Sequence, residues 1–276
     1  MLDYLSQDPA IGAGPAASTR HVELASGGVT LHGVLHLPEG NGPHPVVLVL
    51  HGFPGWERNL DLAQALRRAG YASLVFHYRG CWGMPGTWSW GHALEDVSTV
   101  LDLTLDGQIG EQGLLDPARV AVLGHSAGGF LALAASAARP AVRVVGSVSG
   151  FDFGAVAEAI RGDPTLREYY VEFFDSETGV LSGTDGEALT REMQDAGDDW
   201  SLRRLAPDFA GRHVLLVGTG RDDVTPFALH HDPLVRAFQA QEGLELSHTV
   251  FPTDHALSDH RIALTRRVVE FVRSYL

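Results

Sequence analysis

The chain has 276 residues, 45% hydrophobic and 20% charged, a length that fits one α/β domain with an insertion at least as well as two small domains, and no apolar run approaches the ~20 residues of a membrane span. Its formal net charge of −14 is opposite in sign to the footprint of a nucleic-acid or anionic-membrane binder, and the lone Cys81 excludes an internal disulfide and any zinc site built on two or more thiolates. All 20 basic side chains are Arg, which removes the phosphate-binding P-loop, lysine Schiff bases and Ser-Lys dyads, since each needs an ε-amino group.

The opening "MLDYLSQDPA" carries neither a basic n-region nor an apolar h-region, so no secretory signal is visible and the expected location is cytoplasmic. Two β-rich runs, His21 to Ala25 and Val29 to Leu37, flank Ser26-Gly27-Gly28 and predict an antiparallel hairpin. After a Gly/Pro-rich linker at 38–45 the pattern changes to short continuous apolar runs: "VVLVLH" (46–51), "ASLVFHY" (72–78), "RVAVLGH" (119–125), "RVVGSVS" (143–149) and "HVLLVG" (213–218). Such runs mark strands covered on both faces. Leu244 to Phe251 completes eight candidate strands.

Helical stretches lie between the strands. Asn59 is the expected cap of a helix ending near Gly70, His92 to Leu105 has helical spacing, and 127–138 is a small-residue helix stopped at Pro140. Ser258 is the expected cap of a terminal helix with Ile262, Val269, Val272 and Leu276 on one face. Strands alternating with helices predict an eight-stranded, mostly parallel sheet with helices on both faces, formed by residues 1–150 and 211–276. Residues 151–210 break the alternation. They hold 14 acids against 5 Arg, with an apolar stripe at Tyr169, Tyr170, Phe173 and Phe174, and are expected to form a mostly helical cap insertion.

Open α/β sheets bind ligands at the carboxyl ends of their strands, so the residues following each strand carry the functional signal. Ser126 follows "VAVLGH" inside G-x-S-x-G, a pattern that chance alone supplies roughly 0.2 times in a chain this rich in glycine. Its address adds more than its spelling: a strand-to-helix turn between Gly124 and Gly128 lifts a poor nucleophile to where a base can reach it. His255 immediately follows the last strand and is the expected base, with a ring nitrogen within about 2.6–3.2 Å of Ser126 Oγ, or looser without substrate; His260, in the expected terminal helix, is its competitor. The imidazole needs a carboxylate, and Asp222, Asp223 and Asp152 all follow strands.

Two backbone N–H groups must face the developing oxyanion. Ala127 opens the helix after Ser126, and Phe53 is the donor left in "HGFPG" because Pro54 has no N–H. Trp56, Trp82 and Trp88, with Trp90, Phe53 and Met84 in the same loops, are the candidate pocket aromatics, the other reading being that they pack these loops onto the body. Arg79 reads as a structural ion pair, and His230-His231-Asp232 as a surface coincidence rather than a metal set.

Taken together, "HGFPG", "YRGCWG", "GHSAGG", "RDDVTP" and "DHALSDHR", in the chain order Ser, Asp, His, resemble an α/β-hydrolase of the branch containing prolyl-oligopeptidase-type serine peptidases and related esterases. The resemblance implies the α/β-hydrolase fold and favours Asp222 as the triad acid, from its place four residues before Pro226. It also implies hydrolysis of esters, amides or small peptides without a metal or organic cofactor. The expected activity is a serine hydrolase cleaving small or medium carboxylic esters through an acyl-enzyme, with an aminopeptidase or acyl-peptide hydrolase as the alternative and a non-catalytic binding protein as a third reading. The expected partner is a small-molecule ester or peptide substrate, with no nucleic acid and no membrane.

Overall fold

A computed structural model of the protein describes residues 4–10 and 12–276. The leader expectation drawn from the first ten residues therefore rests in part on residues 1–3, which lie outside the described residues. Among the described residues no helix is long and apolar enough to cross a membrane.

The chain runs β1 (Ser18–Ser26), β2 (Val29–Leu37), β3 (His44–Leu50), α1 (Leu60–Arg68), β4 (Ala72–Phe76), α2 (Trp90–Leu105), β5 (Leu115–His125), α3 (Ala127–Ala137) and β6 (Val144–Val148). Then come α4 (Phe153–Gly162), α5 (Leu166–Asp175) and α6 (Gly186–Ala196), followed by β7 (His213–Thr219), α7 (Phe227–His230), α8 (Asp232–Gln239), β8 (Glu245–Phe251) and α9 (Arg261–Tyr275). The eight strands form one sheet in the order β1-β2-β4-β3-β5-β6-β7-β8. β2 is antiparallel to both β1 and β4, and the remaining pairs are parallel.

Period-two alternation within the apolar runs decides which helices each strand meets. Leu48 and Leu50 of β3 join the core under α2 and α3, with Phe130, Leu133, Val97 and Leu101, whereas Val47 and Val49 join the opposite core of α1 and α9, with Leu62, Leu66, Leu264 and Val268. Each such side chain stabilises the fold by about 1.5–3 kcal/mol through burial. β1 instead alternates buried and exposed residues, because its outer face meets solvent. The hairpin is tied to the body by a buried ion pair: Asp96 of α2 accepts from the Arg79 backbone and guanidinium and from Ser26 Oγ at 2.6–2.8 Å.

Several local expectations change. Asn59 adopts a left-handed conformation with no capping bond, and its Oδ1 accepts from Arg261 instead. Ser258 is bonded to Asp254, so α9 starts three residues later, at Arg261. α2 begins at Trp90 under a Ser89 cap whose hydroxyl accepts from the His92 N–H. His230 and His231 are buried rather than on the surface: His230 Nδ1 accepts from the Asp152 N–H, and His231 Nε2 lies 2.9 Å from His248 Nε2.

Residues 151–210 form α4, α5, α6 and three short 3-10 segments between β6 and β7. They are joined to the body at a point far from either end. Cys81 and Leu181 pair as an antiparallel bridge, Trp82 N–H donates to Val180, Ser182 N–H donates to Gly80, and Trp88 N–H donates to Ser182, at 2.8–2.9 Å.

Candidate active site

The turn from β5 into α3 is so tight that neighbouring backbones occupy the space of absent side chains. A Cβ on Gly124 would sit 1.8 Å from the Gly128 carbonyl oxygen, and one on Gly128 would sit 2.4 Å from the carbonyl oxygen of Leu50. Glycine at both positions lets α3 start against β3 and β5. Ser126 between them is held at φ 58°, ψ −125°, a conformation costly for a residue with a side chain and sustained by the surrounding hydrogen bonds. Its N–H donates to Val148, and its carbonyl accepts from Phe151, Gly129 and Phe130. Gly52 is pressed onto it from the β3 loop, where an added Cβ would lie 2.7 Å from Ser126 Cβ.

The loops after β7 and β8 bring Asp222 and His255 together, with Asp222 Oδ2 2.9 Å from His255 Nδ1. The same oxygen accepts from the hydroxyls of Thr219 at 2.5 Å and Thr225 at 2.6 Å, while Oδ1 accepts from the N–H groups of Val224 and Thr225. Burial works to raise the Asp222 carboxyl, but the bond and charge of His255 together with the two threonine hydroxyls overcome it and hold the group well below the usual carboxylate range. A carboxylate so fixed requires His255 to present Nδ1–H to it, which leaves Nε2 with a lone pair when the ring is neutral. Among the described residues neither His255 Nε2 nor Ser126 Oγ has a protein hydrogen-bond partner, so the short Ser126–His255 bond expected from sequence is absent. Such bonds are commonly long until substrate is in place.

The other carboxylates and the competing histidine are engaged elsewhere. Asp223 is exposed. Asp152 caps α4, accepting from the N–H groups of Ala155 and Leu202, and burial pushes its carboxyl up to about 6. His260 pairs with Asp259 at 2.7 Å and lies against the Phe251 ring. The N–H groups of Phe53 and Ala127, the expected oxyanion donors, are free of protein acceptors among the described residues, and both residues border the hollow beside Ser126.

That hollow is tight, with a cavity volume of about 20 Å³, and is lined by Phe53, Trp90, Phe151, Phe153, Phe173 and Phe174 around Ser126, with no charged side chain. None of Trp56, Trp82 and Trp88 borders it. Trp56 is 63% exposed and donates to Glu177, Trp82 donates to the Pro54 carbonyl, and Trp88 is buried in the core. Trp90 and Phe53, from the same group of loop aromatics, do border it, and the lining that sequence reasoning misses is Phe151 with Phe153, Phe173 and Phe174 of the inserted helices. The stripe at Phe173 and Phe174 was the available signal.

A model of the alpha/beta hydrolase family matches residues 46–268. The chain belongs to that family. Among curated proteins, this α/β-hydrolase is similar to an uncharacterized 31.7 kDa protein of Escherichia coli, 32% identical over 123 residues that make up 44% of this chain and 42% of that one. An uncharacterized protein of Mycobacterium tuberculosis is 33% identical over 145 residues, 50% of each chain. The α/β-hydrolase thus spans about half the length of the curated relatives it matches. Among solved structures, Est1E from Butyrivibrio proteoclasticus superposes with a TM-score of 0.65 at 19% identity, covering 92% of this chain and 98% of its own. An acylaminoacyl peptidase from Pyrococcus horikoshii does so with a TM-score of 0.63 at 19% identity, covering 94% of this chain and 41% of its own. At these identities the likeness concerns the fold.

Proposed function

We propose that the protein is a serine hydrolase that cleaves small or medium carboxylic esters with an apolar acyl group through an acyl-enzyme. The observation that carries this reading is the 2.9 Å Asp222–His255 pair at the same sheet rim as the strained Ser126. In this reading His255 Nε2 takes the proton of Ser126 as Oγ attacks the substrate carbonyl, and Asp222 stabilises the imidazolium that forms. The oxyanion is received by the N–H groups of Phe53 and Ala127, each worth roughly 10²–10³-fold in rate in sites of this kind. His255 then returns the proton to the departing alcohol. Water, deprotonated by the same nitrogen, attacks the acyl-enzyme, and the acid leaves with Ser126 restored.

The acyl group occupies the aromatic hollow, with residues 151–210 serving as a cap through Phe173 and Phe174. The acidity of that segment gives no purchase on a free amine at this place, since none of its carboxylates lines the hollow and several are engaged elsewhere. Glu192 accepts from the N–H groups of Trp90 and Gly91, Glu187 pairs with Arg167, and Asp198 pairs with Arg161 and Arg204. A neutral ester or a blocked peptide therefore suits the site better than an unblocked peptide N-terminus.

The test is labelling with a fluorophosphonate probe alongside hydrolysis of p-nitrophenyl esters of increasing acyl length. Wild type is expected to label at one site and turn over short and aryl esters, and Ser126→Ala to do neither. A wild-type protein that neither labels nor hydrolyses would instead support the non-catalytic reading.

A further inference from the structure

Away from the rim that carries Ser126, the free edge of the sheet holds a second cluster of chemistry-bearing side chains. His21 and Glu23 stand two residues apart on β1 and share its solvent face, and Glu23 is paired in register with His32 of β2. His21 Nε2 and His32 Nδ1 approach to 2.9 Å, with the two rings 5.0 Å apart and tilted by 32°. The Glu23 carboxylate makes no hydrogen bond or ion pair among the described residues, and one ligand atom from each of the three lies within 4.8 Å of the others. β4 and β3 separate this hairpin from β5, which delivers Ser126.

We propose that His21, Glu23 and His32 form a surface site for one divalent transition-metal ion of the zinc, nickel or copper class. Two imidazole nitrogens bound to a common ion at ~2.0–2.1 Å stand roughly 2.9–3.4 Å apart as the angle between them opens from a right angle to the tetrahedral value. The two rings already have that separation. Imidazole paired with one carboxylate is a donor set suited to these ions, and an exposed face leaves water to fill the remaining positions. Rotation of the solvent-exposed Glu23 side chain brings its oxygen onto the ion. At present one ring donates N–H to the other's lone pair. Binding moves that proton to the ring's second nitrogen, which frees both facing lone pairs for the ion.

A second His-containing cluster, His51, His77 and Cys81, is a poorer host. Burial pushes the Cys81 thiol up to about 12, and the Arg58 guanidinium lies 3.3 Å from His77 Nε2. At the hairpin the ion would join the edge strand to its neighbour, stabilising the folded state by mass action without touching the hydrolytic machinery.

Isothermal titration of the EDTA-treated 276-residue chain with zinc chloride tests this directly. The expected result is saturable binding of one ion per chain, weakened at least about tenfold in His21→Ala, His32→Ala and Glu23→Gln. Zinc should also raise the melting temperature of wild type and leave that of the variants unchanged, while all four proteins melt alike in EDTA. No saturable binding below about 1 mM zinc, or equal affinity in wild type and variants, would overturn the proposal. Neither outcome depends on esterase activity, so the zinc site and the proposed hydrolysis stand or fall separately.

Discussion

His125 Nε2 donates a 2.8 Å hydrogen bond to the backbone carbonyl of His255. The residue that precedes the proposed nucleophile thereby holds the loop that presents the proposed base. Its ring is buried beside the His255 ring, and burial followed by the charge of His255 depresses its own protonation to about 3, so it acts as a neutral donor.

Replacing His125 with Phe keeps a ring of similar size and removes the donor. Because small displacements of a base are expensive in rate, kcat should fall roughly tenfold or more with KM within a factor of about two, and stability should drop by about 1 kcal/mol. Steady-state kinetics with a melting curve would check this; an unchanged kcat would remove the positioning role of His125.

Asp222 and its neighbour Asp223 are adjacent in sequence but opposite in environment, and substitution should separate them. Asp222→Asn replaces the acceptor of three hydrogen bonds at Oδ2 and is expected to lower kcat by roughly 10²–10⁴-fold. Asp223→Asn, at an exposed position, should leave kcat/KM within a factor of about two. Comparable losses in both variants would count against Asp222 as the orienting acid.

Acid should unfold the protein through its buried histidines. Burial depresses His51, His125 and His230 from 6.5 to about 3, so between these values the unfolded chain binds protons that the native state refuses. Stability therefore rises with pH through that window, is complete above about 6.5, and falls on acidification by about 1.4 kcal/mol per pH unit for each ring. Asp222, held low, adds a loss only below its unfolded value near 3.8, whereas Asp152, raised to about 6, works in the opposite sense between 3.8 and 6 and offsets part of one histidine. Melting temperatures followed by circular dichroism should be level near pH 7–8 and decline steeply from about 6.5 to 4.5. A maximum near pH 5 would contradict this account.

The strands were legible because β3, β5, β6 and β7 are buried on both faces and so read as unbroken apolar runs, and their order placed Ser126, Asp222 and His255 at three strand ends. Loop aromatics were less legible, since Trp88 in the core, Trp56 on the surface and Trp90 at the hollow occupy the same stretch of sequence with no local mark to tell them apart. Asn59 and Ser258 look like helix caps by residue type, yet Arg261 and Asp254 compete for their side chains. Thr219 and Thr225 are ordinary residues until the turn around Asp222 folds both hydroxyls onto one oxygen. The hairpin trio is invisible to motif spacing because its members are split between paired strands.

The pairing of Cys81 with Leu181, and the three backbone bonds around it, give the inserted helices a third anchorage between their two ends. A segment pinned in this way cannot swing aside as a hinged door without first tearing main-chain hydrogen bonds. If the hollow receives an acyl group as proposed, rotation of individual rings such as Phe173 and Phe174, rather than a large domain movement, is the motion left to admit it.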